Sequence, residues 1–125
     1  MNSTKTTIRV FHGTGHYALD GIIHQGLKKS KQAHVDKACA CTSLEFNVAQ
    51  LFAVRKTPSD DFIAGKISGV VLEFEVDGQL GIDYMPVRDS RSIQEEHEIA
   101  IFSPKRLKLI AVWRHDQQWV RHPLG

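Results

Sequence analysis

The sequence predicts an α+β domain, with its helices in the first half of the chain and most of its strands in the second. Residues 67–76 (ISGVVLEFEV) alternate apolar and polar side chains, which is typical of a strand. Residues 17–27 and residues 44–54 instead repeat apolar side chains at helical spacing. The 125 residues, of which 42% are hydrophobic and 24% charged, fit one globular domain, so residues 1–125 are taken as a single unit.

The first part of the chain predicts two strands, a helix and a loop. Residues 7–12 (TIRVFH) are rich in β-forming side chains and predict the first strand, which Gly13-Thr14-Gly15 is expected to end. Residues 17–27 predict a short amphipathic helix. Residues 28–37 are polar and basic without a period, which is typical of a loop, and residues 38–42 predict a short strand.

A second helix is predicted over residues 44–54, with Ser43 as its N-cap. Its apolar stripe consists of Val48, Leu51 and Phe52, with two alanines alongside. This stripe is expected to face the core.

The remaining chain predicts strands. Residues 57–66 (TPSDDFIAGK) are turn-rich and lead to the strand at 67–76, on which Glu73 and Glu75 share the face opposite to the apolar side chains. Residues 77–91 contain Gly and Pro and are expected to be irregular. Further strands are predicted at residues 99–102, 107–114 and, as a last hairpin arm, 117–122.

Charge is distributed unevenly along the chain. Residues 1–66 contain nine Lys or Arg and five Asp or Glu, a net charge of +4, whereas residues 67–125 contain seven and nine, a net charge of −2. The basic excess lies mainly in residues 28–37 and in Arg55-Lys56. Such an excess is typical of a solvated loop, or of a surface that binds the phosphates of a nucleotide or nucleic acid.

Several classes of protein are disfavoured. No apolar run approaches the roughly 18 residues that a membrane span needs, and residues 1–10 (MNSTKTTIRV) lack the apolar core of a secretory signal. The two cysteines, Cys39 and Cys41, are expected on opposite faces of a strand, a poor geometry for a disulfide. Reduced thiols favour a cytoplasmic location.

Two short motifs carry candidate site residues in the first half of the chain. His12 ends the first strand and precedes Gly13 and Thr14, so a ligand can approach the backbone there. The alternative is a histidine ring hydrogen-bonded within a turn. Thr42 and Ser43 lie at the predicted strand-to-helix junction, where hydroxyl groups either cap the helix or face a cleft.

A pair of carboxylates forms the third motif. Glu96 and Glu98 alternate before an apolar strand and share one face in an extended chain. Such a pair can bind sugar hydroxyls and stabilise a developing cation, although a solvated charged face is the alternative. The seven histidines and two cysteines do not show metal-ligand spacing, so no bound metal is expected.

The order of these motifs, His-Gly-Thr, Thr-Ser and Glu-x-Glu, resembles the ADP-ribosyltransferase superfamily over residues 9–102. Residues 10–14 (VFHGT) look like the first motif of diphtheria-toxin-like enzymes, poly(ADP-ribose) polymerases and RNA 2′-phosphotransferases. Residues 41–44 (CTSL) and 96–99 (EHEI) look like the Ser-Thr-Ser-Leu and Glu-x-Glu motifs of the cholera-toxin-like branch. Cys41 departs from the first Ser of that branch.

The resemblance implies both a fold and a reaction. It implies a split β-sandwich, a bowl of two small sheets with two or so flanking helices, that binds NAD+ in a bent form. The implied function is that of a mono-ADP-ribosyltransferase, a glycosyltransferase that moves ADP-ribose from NAD+ to a macromolecular acceptor and releases nicotinamide. NAD+ is then a substrate, and the acceptor is a protein or a nucleic acid.

The resemblance also implies roles for individual residues. Glu98 would stabilise the cationic ribose, Glu96 would position or deprotonate the acceptor, and Ser43 would orient Glu98 or touch the ribose. His12 would hold the adenosine ribose. The other residues expected to contact NAD+ are Gly13, Thr14, Thr42, Tyr17 and Phe46, the last two by aromatic stacking.

Three alternatives stay open. An RNA 2′-phosphotransferase also consumes NAD+ but has no evident use for the Glu-x-Glu pair. A non-catalytic domain would bind NAD+ or ADP-ribose for interaction alone, and a small protein-binding domain would use no nucleotide. If the chain is toxin-like, a neutralising partner protein is expected, whereas a membrane partner is not.

Overall fold

The computed structural model describes residues 6–32, 35, 37–87 and 98–124. Its helices and strands are, in chain order, β1 (Thr6–Thr14), α1 (Leu19–Gln25), β2 (Ala40–Ser43), α2 (Phe46–Arg55), α3 (Ser59–Ile63), β3 (Val70–Gly78), β4 (Tyr84–Pro86), β5 (Glu98–Ile101), β6 (Leu107–Asp116) and β7 (Gln118–Pro123). Short 3₁₀ turns at His16–Ala18 and Pro104–Arg106 precede α1 and β6. The predicted α+β class is confirmed.

The seven strands form one open sheet in the order β4-β5-β2-β1-β3-β6-β7, and each neighbouring pair is antiparallel. The central strand, β1, pairs along its whole length with β3, from Thr6 opposite Gly78 to Thr14 opposite Val70. Its junction with β2 is much narrower, with Phe11 opposite Ser43. The sheet therefore consists of two groups of strands, β4-β5-β2 and β1-β3-β6-β7, that meet at this narrow junction.

The largest core covers one face of the sheet. Its buried apolar side chains come mainly from β1, β3 and β5, and include Val10, Leu72, Phe74, Val76, Ile99 and Ile101. The helix α1 lies against this core through Leu19 and Ile22. The predicted helix at residues 17–27 is thus confirmed in a shorter form, and Ile23 points outward with 51% of its surface exposed.

On the opposite face, α2 packs against the sheet through small side chains. Ala49 and Ala53 are buried there together with Val71. The backbones approach so closely that a Cβ atom on Gly13 would lie 1.8 Å from Ala49 O, and one on Gly69 would lie 1.9 Å from Ala53 O. Both glycines are therefore required by packing, because no side chain fits between the helix and the strands.

Thr57 fastens the end of α2 to the chain that enters β3. Its Oγ1 donates a hydrogen bond to Ala53 O at 3.0 Å and accepts one from the Gly69 N–H at 3.1 Å. Each of these buried polar groups thus has a partner. The helix is held at its C-terminal end as well as along its side.

The start and the buried face of α2 differ from the prediction. Ser43 is the last residue of β2, and Glu45 occupies the N-cap position without a side-chain hydrogen bond. The Ser43 Oγ instead accepts a hydrogen bond from the Glu45 N–H at 3.0 Å. Leu51 and Phe52 are 39% and 41% exposed, because the two alanines face the sheet in place of the predicted stripe.

Other element boundaries also differ from the prediction. β1 continues through Gly13 and Thr14, because Gly13 fits beneath α2 and pairs with Val71. A short helix, α3, forms within the predicted turn at 57–66, and β4 forms within the segment 77–91, of which residues 88–91 lie outside the described residues. The strands predicted near the end of the chain are confirmed as β5, β6 and β7.

Glu73 is buried on the α2 face of the sheet, with 2% of its surface exposed, although its position opposite the apolar side chains is as predicted. Arg121 donates two hydrogen bonds to its carboxylate, at 2.9 and 3.1 Å, and Trp113 Nε1 donates a third at 2.8 Å. Arg9 Nε lies 3.2 Å from Glu73 Oε2. The carboxylate thereby connects side chains from the four neighbouring strands β1, β3, β6 and β7.

The surroundings of Glu73 determine its ionisation. Burial alone raises the pKa of Glu73, but the hydrogen bonds from Arg121 and Trp113 and the charges of Arg121 and Arg9 outweigh it and lower the pKa below the ordinary 4.5. The folded chain therefore binds this proton less readily than the unfolded chain. The resulting stabilisation is complete above pH 4.5 and is lost as the pH falls through the lowered pKa.

Replacing Glu73 tests this buried network. Glu73→Gln should reduce the free energy of unfolding at pH 7 by about 2 kcal/mol, because Arg121 loses its carboxylate partner. Urea unfolding measures the loss, and the difference from wild type should shrink below pH 4.5. Glu75→Gln is the matched control, since the Glu75–Arg9 pair is solvent-exposed and worth less than about 0.5 kcal/mol. Equal losses in the two variants would contradict the network.

Replacing Gly13 tests the close packing of α2. Gly13→Ala should reduce the free energy of unfolding by about 3 kcal/mol, because the added methyl group meets helix backbone that cannot move aside locally. Gly21→Ala in α1 is the control, since a Cβ atom there meets nothing within 4 Å. It should stabilise the fold by about 0.5 kcal/mol. A neutral Gly13→Ala would refute the predicted contact.

Candidate functional site

A cleft of about 420 Å³ opens beside α2, between β1, β2 and the start of β5. We call it the α2 cleft. Its lining residues are Phe11, His12, Gly13, Thr14, Gln32, Cys41, Thr42, Ser43, Val48, Ala49, Phe52, Lys56 and Glu98. The α2 cleft therefore contains residues of all three sequence motifs, which lie far apart along the chain.

A second cleft, of about 440 Å³, lies beside α1 and the loop that follows it. We call it the α1 cleft. Ile22, Gly26 and Lys28 belong to its wall, and it shares His12, Gln32 and Cys41 with the α2 cleft. These three residues border both clefts, so the two clefts adjoin at His12, and we call the pair of clefts the groove.

His12 is held in a defined orientation by the neighbouring strand. Its Nδ1 lies 2.8 Å from Cys41 O, and since a carbonyl oxygen only accepts, Nδ1 carries the proton. Burial lowers the pKa of His12 below 6.5, although the hydrogen bond to Cys41 opposes this shift. The ring is then neutral at pH 7, and Nε2 is left as an acceptor suited to a hydroxyl group of a ligand.

Ser43 and Glu98 lie directly opposite each other where β2 pairs with β5. Ser43 is buried, and its oxygen accepts the Glu45 N–H, which leaves the hydroxyl proton to donate. Glu98 is half-buried on the same side. Thr42 also lines the cleft, but its Oγ1 donates to Ile99 O at 2.9 Å and so ties β2 to β5.

The cysteines contribute to the site through backbone rather than through a reactive thiol. Cys39 and Cys41 share one face of the strand, since side chains two residues apart point the same way, and the expectation of opposite faces was wrong. Burial, followed by the charges of Glu98 and Cys39, raises the pKa of Cys41 to about 12. Its thiol therefore stays protonated at pH 7. The contact of Cys41 with His12 uses a carbonyl oxygen, which a Ser in its place would also supply.

Two aromatic residues expected to contact NAD+ lie outside both clefts. Phe46 packs against Phe11, Trp113 and Trp119, with ring centroids 5.8, 4.7 and 5.7 Å away. Its ring is used to hold α2 against the sheet, so it does not reach the groove. Tyr17 is 66% exposed and borders neither cleft.

Glu96, the other predicted catalytic carboxylate, lies outside the described residues, and its role stays a prediction. The structure adds Val48 and Phe52, which sequence reasoning did not place at the site, and brings Lys56 of the predicted basic segment beside them. Val48, Phe52 and Lys56 follow one another at intervals of one helical turn, and all three line the α2 cleft. The sequence contained a sign of this arrangement, because Val48, Phe52 and Lys56 are spaced four residues apart and so lie on one side of the helix.

Among the described residues, no group of three or more His, Cys, Asp or Glu side chains is arranged to hold a metal ion. No helix in the described part of the chain is both long and apolar enough to cross a membrane. Comparisons with models of protein families, with curated proteins and with solved structures found no match. The function is therefore inferred from the residues of the groove.

The neutral state of His12 can be measured directly. In an NMR titration, the ring Cε1–H resonance of His12, assigned with a His12→Gln variant, should show a midpoint below 6.5 because the ring is buried. A midpoint at or above 6.5 would contradict the neutral ring.

Proposed function

We propose that the chain is an NAD-dependent mono-ADP-ribosyltransferase, which transfers ADP-ribose from NAD+ to a macromolecular acceptor and releases nicotinamide. One observation carries the proposal: His12, Ser43 and Glu98, which come from three separate motifs, line the same cleft. The order of the motifs supports the proposal independently, through the resemblance described above.

The charge that develops during the reaction can be stabilised by side chains of the α2 cleft. The bond between C1″ of the nicotinamide ribose and the nicotinamide nitrogen breaks, and its electron pair leaves with nicotinamide. The ribose then carries positive charge, which the half-buried carboxylate of Glu98 would stabilise. An acceptor atom supplies a new electron pair to C1″ and loses its proton to solvent or to a nearby base. Glu96 is the proposed base, and Ser43 would hydrogen-bond Glu98 or the ribose.

The two clefts together suit a bent dinucleotide. His12 lies where the clefts meet, and its Nε2 would accept a hydrogen bond from a hydroxyl of the adenosine ribose. The backbone of Gly13 and Thr14, in the α2 cleft, would hold the carboxamide of nicotinamide. In this proposal, the two groups of strands on either side of the β1–β2 junction correspond to the two small sheets of the superfamily.

Glu98→Gln tests the mechanism. The variant should release nicotinamide from NAD+ at least about 100-fold more slowly, because the cationic ribose loses its stabilising charge. Chromatography of released nicotinamide measures the rate, and circular dichroism verifies the fold. Glu45→Gln, an exposed carboxylate that lines neither cleft, is the control and should keep the wild-type rate. Wild-type turnover by Glu98→Gln would refute the assignment.

The alternatives give different results with the same proteins. A rise in melting temperature with NAD+ but no release of nicotinamide would indicate a non-catalytic binder. Formation of ADP-ribose 1″,2″-cyclic phosphate from a 2′-phosphorylated RNA would instead indicate a phosphotransferase. Neither a thermal shift nor release would overturn every nucleotide-based function.

A further inference from the structure

Two basic segments that are distant in the sequence border the same groove. Lys28 lines the α1 cleft, and Lys56 lines the α2 cleft. Their chain neighbours Lys29 and Arg55 are exposed. None of these four cations forms an ion pair with another residue in the described part of the chain. Each cleft therefore has positive charge at its border that is available to an anionic partner.

An exposed aromatic ring lies beside the basic residues at the end of α2. Phe52 is 41% exposed and lines the α2 cleft, one helical turn before Lys56. The Arg55 guanidinium carbon lies 5.6 Å from the centre of the Phe52 ring. A large aromatic surface beside cations is the arrangement on which bases stack while phosphates contact Lys and Arg.

We propose that the exposed rim of this groove binds a single-stranded nucleic acid, with its phosphates at Lys28, Lys29, Arg55 and Lys56 and one base against Phe52, while the interior of the clefts is left to NAD+. A duplex does not fit this arrangement, because its bases are already stacked and paired. The cations border two clefts rather than one point, which favours a polymer of phosphates over a single phosphate group.

We further infer that the strand is the acceptor of the proposed transfer, and this part rests on the proposed function. Glu98 lines the same cleft as Phe52 and Lys56. A base stacked on Phe52 would thus bring its nucleophilic nitrogen or oxygen atoms to the side of the cleft where C1″ is expected. That atom would form the new bond to C1″, nicotinamide would leave with the old electron pair, and the proton would pass to solvent.

Binding is tested without NAD+, so that it does not depend on catalysis. Fluorescence anisotropy with labelled oligo-dT and oligo-U of about 12 nucleotides, at about 50 mM NaCl, should show binding by the wild type. Lys28→Gln/Lys29→Gln should weaken binding about fivefold or more. The slope of log Kd against log salt concentration should fall by about two, because two fewer counterions are released. Phe52→Ala should weaken it about tenfold.

Each variant has a matched control. Lys105→Gln/Arg106→Gln removes the same charge from residues that line neither cleft, and Phe62→Ala removes another exposed ring, on α3. Both controls should bind like wild type. Absence of binding to both oligonucleotides, or equal weakening by the controls, overturns the proposal. The preferred oligonucleotide decides between RNA and DNA.

The acceptor role has its own readout. With NAD+ labelled in the adenylate group, label should appear on the bound oligonucleotide and should be reduced by Phe52→Ala more than by Phe62→Ala. Nicotinamide release with label only on protein would overturn the acceptor role and leave the proposed function intact. Binding without nicotinamide release would reject the proposed function, and the acceptor role with it, while the binding surface stands.

Discussion

The backbone contact between α2 and the sheet is the constraint on which both the fold and the groove depend. Ala49 and Ala53 approach the backbone where Gly13 and Gly69 leave room, and the adjoining side of the same helix, with Val48 and Phe52, supplies one wall of the α2 cleft. A bulkier residue on either side would separate the helix from β1 and widen the cleft. The packing of α2 against β1 therefore requires glycine at position 13, whether or not a ligand binds there.

This contact explains where the sequence prediction of α2 failed. The spacing of Val48, Leu51 and Phe52 indicated a buried stripe, and Phe46 was expected at the site. In the structure, Phe46 packs against the sheet together with Ala49 and Ala53, whereas Phe52 lines the α2 cleft. Periodicity shows that a helix is amphipathic, but it does not show which part of a broad apolar face reaches the backbone of a neighbour.

Local patterns predicted most strands, because a strand's alternation is visible within a few residues. They also identified His12, Thr42, Ser43 and Glu98 as candidates. The meeting of these residues in one cleft depends on the pairing of β1 with β2 and of β2 with β5, which no local pattern contains. The burial of Glu73 was equally hidden, since its main partner, Arg121, lies on β7.

The central position of β1 has a consequence for how the chain folds. His12 pairs with Leu72, and the other neighbour, β2, is held in turn by β5 near the end of the chain. β1 is therefore synthesised well before these partners, and both of its edges stay open until they follow. The entropy of these long loops is lost before the strands that they join make stabilising contacts. Folding is therefore slow, and the nascent chain is exposed to aggregation. Because the residues that line the α2 cleft run from Phe11 to Glu98, this cleft is complete only after Glu98 has been synthesised, and its assembly is not a local event.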